Sequence, residues 1–270
     1  MTDFIAYEVE GSVAVISLDR PERRNAQNTQ FLVELDDAWT RAARDDAVRV
    51  IVLRANGPHF SAGHDMSPEG RDVDFEYSSH GVHKLYDHEQ RLYLGYARKW
   101  RDVPKPSIAA VQGVCIAAGL MLCWPCDLIV AAEDAYFNDP VVRMGIGGVE
   151  YHGHTWELGA RKAKEMLFTA KGFTAAQAEQ LGMVNRVVPV DALHAETMAL
   201  ANDIAKMHPF ALAMAKRAVN QTLDVMGQHT ALQAVFDIHQ LGHANALALS
   251  GIPVLLDLEG MKAKSGTTDN

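Results

Sequence analysis

A small-residue loop that follows a buried strand is the feature that most constrains this chain. The apolar run at residues 50–53 is typical of a strand, and Asn56 and Gly57 end it. The loop continues to Met66 and contains Gly63, which keeps side-chain bulk away from the groups that neighbouring amides face. We therefore expect the backbone N–H of His64 to be able to bind a ligand oxygen.

A second loop, at residues 112–119, repeats this arrangement. It follows the apolar run at residues 108–111 and contains Gly113, Ala118 and Gly119. Two strand-end loops that each offer a free amide can form an oxyanion hole. Tight packing turns have the same appearance, so spacing alone leaves both interpretations open.

The bulk composition indicates a globular protein of one large or two small domains, with 270 residues, 48% hydrophobic and 22% charged. The net charge of −9 disfavours nucleic acid or an anionic membrane as partner. No apolar run approaches the length of a membrane span, and the N-terminal residues do not resemble a signal peptide. Because the three cysteines are an odd number, we expect a reducing compartment and a cytoplasmic protein.

Strand and helix patterns alternate through the first two thirds of the chain, which predicts an α/β fold. The predicted strands lie at residues 4–9, 13–18, 48–53, 108–111 and 127–132. Helices are predicted from Asn28 or Thr29, over residues 83–101 and from about Ala118. After about residue 190 the pattern is helical, with Pro209 in the first turn of one helix.

Several motifs occur in an order that resembles the crotonase (enoyl-CoA hydratase/isomerase) superfamily. They lie at residues 19–26, 60–65, 111–119, 126–127 and 173–188, and the resemblance spans roughly residues 5 to 225. It implies a repeated ββα spiral core at residues 1–190 that binds a CoA thioester. It also implies a C-terminal helical region at residues 191–270 that closes the acyl pocket and assembles a homotrimer or hexamer.

The same resemblance implies where an acyl-CoA substrate would bind. The backbone N–H groups of His64 and Ala118 would hold the thioester oxygen. Coenzyme A would be part of the substrate, and no covalently bound cofactor is expected. The residues implied in CoA binding are Arg23, Arg24, Ala26, Ala62, Asp65 and Met66.

The chain departs from the family pattern at the two glutamates that activate water in hydratases. Met121 and Val141 stand at those positions and lie in the implied acyl pocket, and neither side chain can exchange a proton. This favours isomerisation, thioester hydrolysis or carbon–carbon cleavage through an enolate over ordinary hydration. A non-catalytic acyl-CoA binder and a hydratase with replaced acid/base groups remain as alternatives.

Other branches of the family carry an acidic residue about eight positions after the second hydratase glutamate, and this chain has Val149 at that count. A shift of one position makes the adjacent Glu150 the leading acid/base candidate. A carboxylate that faces an apolar pocket should have a raised pKa. His152 and His154 could replace Glu150 or hydrogen-bond it. Alternatively, Glu150 caps the helix that begins near Thr155, or it pairs with Arg143 or Arg161.

The histidines and cysteines do not complete a metal-ligand set in the sequence. His239 and His243 lie one helical turn apart, but no third ligand is identifiable beside them. Cys123 and Cys126 lie in an apolar segment and are expected to be buried structural residues. No metal site is therefore predicted.

Overall fold

The computed structural model describes residues 3–67, 70, 75–256 and 260. Its strands are β1 (Ile5–Glu10), β2 (Val13–Leu18), β3 (Val50–Ala55), β4 (Ser107–Val111), β5 (Val114–Ile116), β6 (Leu128–Ala132), β7 (Tyr136–Asn138), β8 (Phe173–Thr174) and β9 (Arg186–Val188). Its α-helices are α1 (Thr29–Arg44), α2 (Tyr77–His80), α3 (His83–Glu89), α4 (Tyr96–Arg101), α5 (Leu120–Cys123), α6 (His154–Thr169), α7 (Ala175–Gln180), α8 (Leu193–Ala205), α9 (Pro209–Val225) and α10 (Gln228–Ser250). A π-helical turn, Gln90–Gly95, joins α3 to α4.

Two sheets organise the described residues. The larger has the strand order β1-β2-β3-β4-β6-β9, in which β1 is antiparallel to β2 and the other pairs are parallel. The smaller has the order β5-β7-β8. The predicted α/β class with a helical C-terminal region is confirmed. The sequence pattern missed β5, which lies within the loop predicted at residues 112–119.

The neighbouring parallel strands β2 and β3 are largely apolar on both faces because both faces are covered. Alternate residues of β2 and β3 point to opposite sides of the sheet. Ile16 and Leu53 join the main core with α1, whereas Val15 and Val52 pack in a second cluster with Ala201 of α8. The continuous apolar runs in the sequence therefore correspond to strands whose two faces are both buried.

Helix α1 begins where its capping signal predicted. The Asn28 side chain accepts a hydrogen bond from the N–H of Phe31 at 3.0 Å. Asp36 accepts hydrogen bonds from Trp100 Nε1 at 3.0 Å and from Lys99 Nζ at 2.6 Å. These contacts fix α1 against α4 and so position the helical stretch that precedes β4.

Helix α10 lies against the stretch formed by α3, the π-helical turn and α4. Tyr86 donates to Asp237 at 2.9 Å, and Arg98 donates to Gln233 at 3.1 Å. Arg101, which is buried, donates to Gln228 at 2.8 Å. Because α10 is held along this stretch, its inward-facing side chains meet those of α3.

No helix within the described residues has the length and apolar character needed to cross a membrane. Helices α8, α9 and α10 follow the last strand, β9, in agreement with the predicted helical region. The domain boundary near residue 190 stays a prediction. Residues 257–259 and 261–270 of the region predicted at 191–270 lie outside the described part of the chain.

Candidate active site

The two strand-end loops lie side by side because β3 and β4 are parallel neighbours, so their carboxyl ends reach the same edge of the sheet. The N–H of Ser61 donates to Val114 O at 3.1 Å, and the N–H of Ile116 donates to Ser61 O at 3.0 Å. The segment is held on its other side by Gln27, which donates its N–H to Gly63 O at 2.9 Å. Residues 61–64 therefore run between two backbone partners.

This pairing leaves the N–H of His64 directed away from Gln27. The N–H of Asp65 donates to Gln27 O at 2.8 Å, and His64 is the bridge partner of Gln27. In such a pairing, the residue between the two bonded groups directs its own N–H to the opposite side. The amide of His64 therefore does not bond to Gln27, and its role as an oxyanion donor stays a prediction.

Two glycines allow the loops to make this close approach. A Cβ atom on Gly63 would lie 3.2 Å from the backbone nitrogen of Ala118, and one on Gly119 would lie 2.7 Å from Ser61 O. Ala117, the residue before Ala118, has a φ of 51°. A non-glycine residue rarely adopts this left-handed conformation, which here delivers the Ala118 amide beside Gly63. The two proposed donors are therefore brought together.

The segment at residues 20–26 holds the first loop in place through hydrogen bonds. Asn25 is fully buried, and its Nδ2 donates to Asn56 O at 3.0 Å and His59 O at 2.9 Å. Arg24 accepts a hydrogen bond on its carbonyl from the N–H of Ala62 at 3.0 Å. The side chains of Arg23 and Arg24 are exposed, as a role in binding CoA phosphates requires.

Asp65 holds the loop in shape. Its Oδ2 lies 2.7 Å from Arg20 Nη1, and its Oδ1 accepts hydrogen bonds from the N–H and the hydroxyl of Ser67 at 3.0 and 2.7 Å. Burial alone would raise the pKa of Asp65, but Ser67 and Arg20 outweigh it and lower that pKa below its ordinary value. These contacts make Asp65 a structural anchor. Ala26, Ala62 and Met66 are half-buried in the same region.

Glu150 lies directly beside the first loop. Its side chain is buried, and its Oε1 is 3.3 Å from Nε2 of His64 and 3.5 Å from Nε2 of His239. The His64 ring also stacks on Tyr93, with ring centroids 4.0 Å apart. Tyr93 belongs to the π-helical turn, a feature that is often found at functional sites. The structure thus joins a carboxylate to one wall of the predicted oxyanion hole.

The predicted raised pKa of Glu150 is wrong. Burial would raise it, but His64 and His239 lie against the carboxylate and lower its pKa to about 2. Conversely, burial would lower the pKa of His239, but Glu150 and Glu89 outweigh it and raise that pKa to about 9. The sequence-based prediction assumed that Glu150 faces an apolar pocket, whereas the folded chain places two histidines in contact with Glu150.

The prediction that His152 or His154 hydrogen-bonds Glu150 is also wrong. His154 is fully buried, with its Nε2 2.9 Å from Asp139 Oδ2, and the same oxygen accepts the N–H of Val149 at 2.9 Å. His152 Nε2 lies 2.9 Å from Thr155 Oγ1. Burial and His154 lower the pKa of His152 to about 4. These two histidines support the loop that carries Glu150.

The two positions at which hydratases carry glutamates hold apolar residues in this chain, and these residues pack among other apolar side chains. Met121 is buried in the main core on α5, and Val141 packs against the same core. Leu120, next to Met121, is also buried. No proton donor or acceptor is supplied by either position.

A further carboxylate, Glu89, extends the polar cluster and was not identified from the sequence. Its Oε2 lies 3.5 Å from His239 Nε2 and 3.7 Å from His243 Nε2. It lies 150 residues before His239, so no local motif joins them. One signal was present: Leu85, Glu89 and Leu92 share the buried stripe of the helical stretch, where a charged residue is rare.

The close contact between the loops makes Gly119 sensitive to substitution. In Gly119→Ala the new Cβ meets a backbone oxygen at 2.7 Å, so the backbone must move. We expect the free energy of unfolding to fall by about 1–3 kcal/mol. Urea unfolding measures it, with Gly147→Ala as the matched control, because no atom lies within 4 Å of a Cβ there. Equal stability of the two variants would show that the loops do not need this approach.

The lowered pKa of Asp65 makes the effect of Asp65→Asn depend on pH. A folded-state pKa below the ordinary 3.8 contributes stability that is present above that value and is lost as pH falls through the folded pKa. We expect Asp65→Asn to be less stable than wild type at pH 7, and this difference to shrink as the pH falls below 3.8. Urea unfolding at these pH values tests it, and a difference independent of pH would contradict it.

The architecture matches proteins of known family. The family model for enoyl-CoA hydratase/isomerase matches residues 8–246. EchA13 of Mycobacterium tuberculosis, which is named as an enoyl-CoA hydratase, is 46% identical over 260 residues, covering 90% of this chain and 81% of its own.

Two solved structures are closer in sequence and similar in fold. A probable enoyl-CoA hydratase from Mycobacterium smegmatis is 62% identical, with a TM-score of 0.88 over 94% of this chain and 99% of its own. One from Mycobacterium thermoresistibile is 65% identical, with a TM-score of 0.87 over 93% and 99%. Together with the geometry above, these matches show that the chain belongs to the enoyl-CoA hydratase/isomerase family and has the crotonase fold.

Proposed function

We propose that the chain catalyses a reaction of an acyl-CoA thioester through an enolate, with Glu150 moving the proton. The observation that carries this proposal is the 3.3 Å contact between Glu150 Oε1 and His64 Nε2. His64 also supplies one of the two candidate oxyanion donors. A carboxylate beside an oxyanion hole is positioned to act on the carbon next to the bound carbonyl.

The proposed chemistry follows from this juxtaposition. The N–H groups of His64 and Ala118 hold the thioester oxygen and stabilise the negative charge that develops on it. The Glu150 carboxylate removes a proton from the α-carbon. The electron pair of the C–H bond forms the carbon–carbon double bond of the enolate, and the π pair of the carbonyl moves to the thioester oxygen. Returning the proton to another carbon completes an isomerisation, and returning it to the α-carbon leaves only isotope exchange.

We propose that the coenzyme A part of the substrate binds at the exposed edge of the first loop. Arg23 and Arg24 are exposed beside the backbone contact of Arg24 with Ala62, and both can bind phosphate oxygens. Ala26 and Ala62 are half-buried and leave room for an adenine ring. Coenzyme A is therefore proposed as part of the substrate.

Hydration is the second candidate reaction. The relatives named above carry hydratase names, and the buried carboxylates Glu150 and Glu89 can in principle hold a water. Met121 and Val141 weigh against it because they replace both groups that would activate that water. We therefore favour isomerisation, hydrolysis or carbon–carbon cleavage, and retain a non-catalytic acyl-CoA binder as the alternative that lacks chemistry.

The surface of the C-terminal helices supports an oligomer. Large apolar side chains are exposed on α9 and α10, among them Phe210, Val219, Val225, Ile238, Leu241 and Leu249. Exposed apolar side chains in this number are typical of an interaction surface. We propose a homotrimer or a hexamer, and we retain the expectation of a cytoplasmic protein.

Replacing Glu150 tests the assignment of the base. A thermal-shift screen of CoA thioesters first identifies a ligand, because a ligand that binds only the folded chain stabilises it. Glu150→Gln keeps the side-chain shape but cannot take up the proton, so we expect exchange of the α-proton with D₂O to fall by about 10²–10⁴-fold. Mass spectrometry measures the exchange, and the exposed Glu133→Gln is the matched control.

The competing outcomes of this experiment are distinct. We expect Glu150→Gln to bind the thioester about as well as wild type while exchange is lost. If Glu150→Gln exchanges normally and His152→Ala does not, the base is a histidine and the assignment is wrong. If wild type binds the thioester and never exchanges its α-proton, the chain is a binder.

The substitutions at Met121 and Val141 lead to a negative expectation for hydration. Each positioned acid/base group contributes about 10²–10⁴-fold, so the loss of two should leave crotonyl-CoA hydration slow or undetectable. The absorbance of the conjugated thioester reports this reaction, and the reference is a family hydratase that carries both glutamates. Hydration at the rate of that reference would show that other groups replace the pair.

A further inference from the structure

The buried polar cluster between α3 and α10 has the composition of a metal site. Glu89, His239 and His243 each offer one ligand atom, and these atoms lie within 4.8 Å of one another. All three side chains are buried. The sequence-based expectation of no metal rested on the absence of a third ligand beside His239 and His243, and the folded chain supplies that ligand as Glu89.

The tautomers of the two histidines follow from their other contacts. His239 Nδ1 lies 2.6 Å from Gly148 O, and His243 Nδ1 lies 2.6 Å from Pro253 O. A carbonyl oxygen can only accept a hydrogen bond, so each Nδ1 carries the proton. Each Nε2 atom therefore faces the carboxylate of Glu89 and is the ring nitrogen that is left to bind a metal once it carries no proton. Metal-binding histidines are oriented in this way by backbone carbonyls.

The Nε2 atoms and the Glu89 carboxylate face each other, so a positive charge must lie between them, either a proton on nitrogen or a metal ion. Neither Nε2 atom has a hydrogen-bond partner among the described residues. Their distances to Glu89 Oε2, 3.5 and 3.7 Å, exceed the range of about 2.7–3.2 Å for an N–H···O bond. Tetrahedral ligands held by bonds of about 2.0–2.1 Å lie about 3.4 Å apart. The two distances to Glu89 are thus close to the ligand spacing around a shared cation and longer than a direct hydrogen bond.

The charge balance of the cluster points the same way. Glu89 and Glu150 are both buried, and in the described part of the chain their ion-pair partners are histidines. Two buried carboxylates without a compensating charge are costly. Gln240 Nε2 hydrogen-bonds Glu89 Oε2, an arrangement that also orients carboxylate ligands of metals. A divalent ion would neutralise the pair and would require no movement of lysine or arginine into the core.

We propose that Glu89, His239 and His243 bind a divalent transition-metal ion of the zinc class, with a fourth coordination position open towards Glu150. Two imidazoles and one carboxylate with an open position form a set found in catalytic zinc sites. The proposal goes beyond the proposed enolate chemistry and does not depend on which reaction the chain catalyses. Binding would displace any proton held by His239, so metal affinity should rise with pH.

Metal binding by the intact, tag-free chain tests the proposal. Chelator-treated protein is titrated with Zn²⁺ and Co²⁺, and the bound metal is measured by elemental analysis after gel filtration. We expect one equivalent per chain, the intense visible absorption of tetrahedral Co²⁺, and X-ray absorption of the zinc-loaded protein that shows imidazole scattering without sulfur. Wild type alone gives this result, so it does not depend on any variant folding.

Variants then locate the ion. We expect His243→Gln and Glu89→Gln to weaken Zn²⁺ binding by more than about 100-fold, and Gln240→Leu to weaken it by about 10–100-fold because it only orients Glu89. The control is His83→Gln, an exposed histidine whose partner Asp87 also lies one helical turn away. Circular dichroism confirms that each variant is folded.

Three outcomes would overturn the proposal. They are a wild-type chain that retains no metal after gel filtration, sulfur in the coordination sphere of the bound zinc, and equal metal binding by His243→Gln, Glu89→Gln and wild type. In the first case, a proton on His239 carries the positive charge of the cluster.

Discussion

The contact between two backbone segments at the edge of the sheet is the constraint on which the rest of the site depends. The loops after β3 and β4 come into close backbone contact at Gly63 and Gly119, where a Cβ would strike the neighbouring chain. Parallel pairing of β3 and β4 brings the loops to the same edge, and the backbone bonds of Ser61 fix their register. Oxyanion donors need this rigidity, since their value lies in being oriented before charge develops.

Around that contact lie buried ionisable side chains, which need charged or hydrogen-bonding partners because water does not reach them. Glu150 and Glu89 come from different parts of the sequence and meet through His239 on α10. Asp139 and His154 hold the neighbouring loop from its other side. Such a network costs free energy when it is incompletely satisfied, and a fully satisfied one specifies a single arrangement. The position of α10 is thus coupled to the geometry of the site.

The sequence predicted what is encoded locally. The two-sided burial of β2 and β3, the Asn28 cap of α1 and the small-residue loops can each be read from a few adjacent residues. The direction of the pKa shift of Glu150 could not, because its partner His239 is 89 residues away on a helix whose docking depends on tertiary contacts. Glu89 was missed for the same reason, although its place on a buried stripe was a usable signal.

The central claim is that His64 and Ala118 together polarise a thioester carbonyl. Isotope-edited infrared spectroscopy of a bound, ¹³C-carbonyl-labelled CoA thioester measures that polarisation directly. We expect the carbonyl stretch to move to lower frequency on binding, and the shift to be reduced in Ala118→Pro, which removes one N–H donor. A bound thioester whose carbonyl frequency equals that of the free thioester in water would contradict the oxyanion hole.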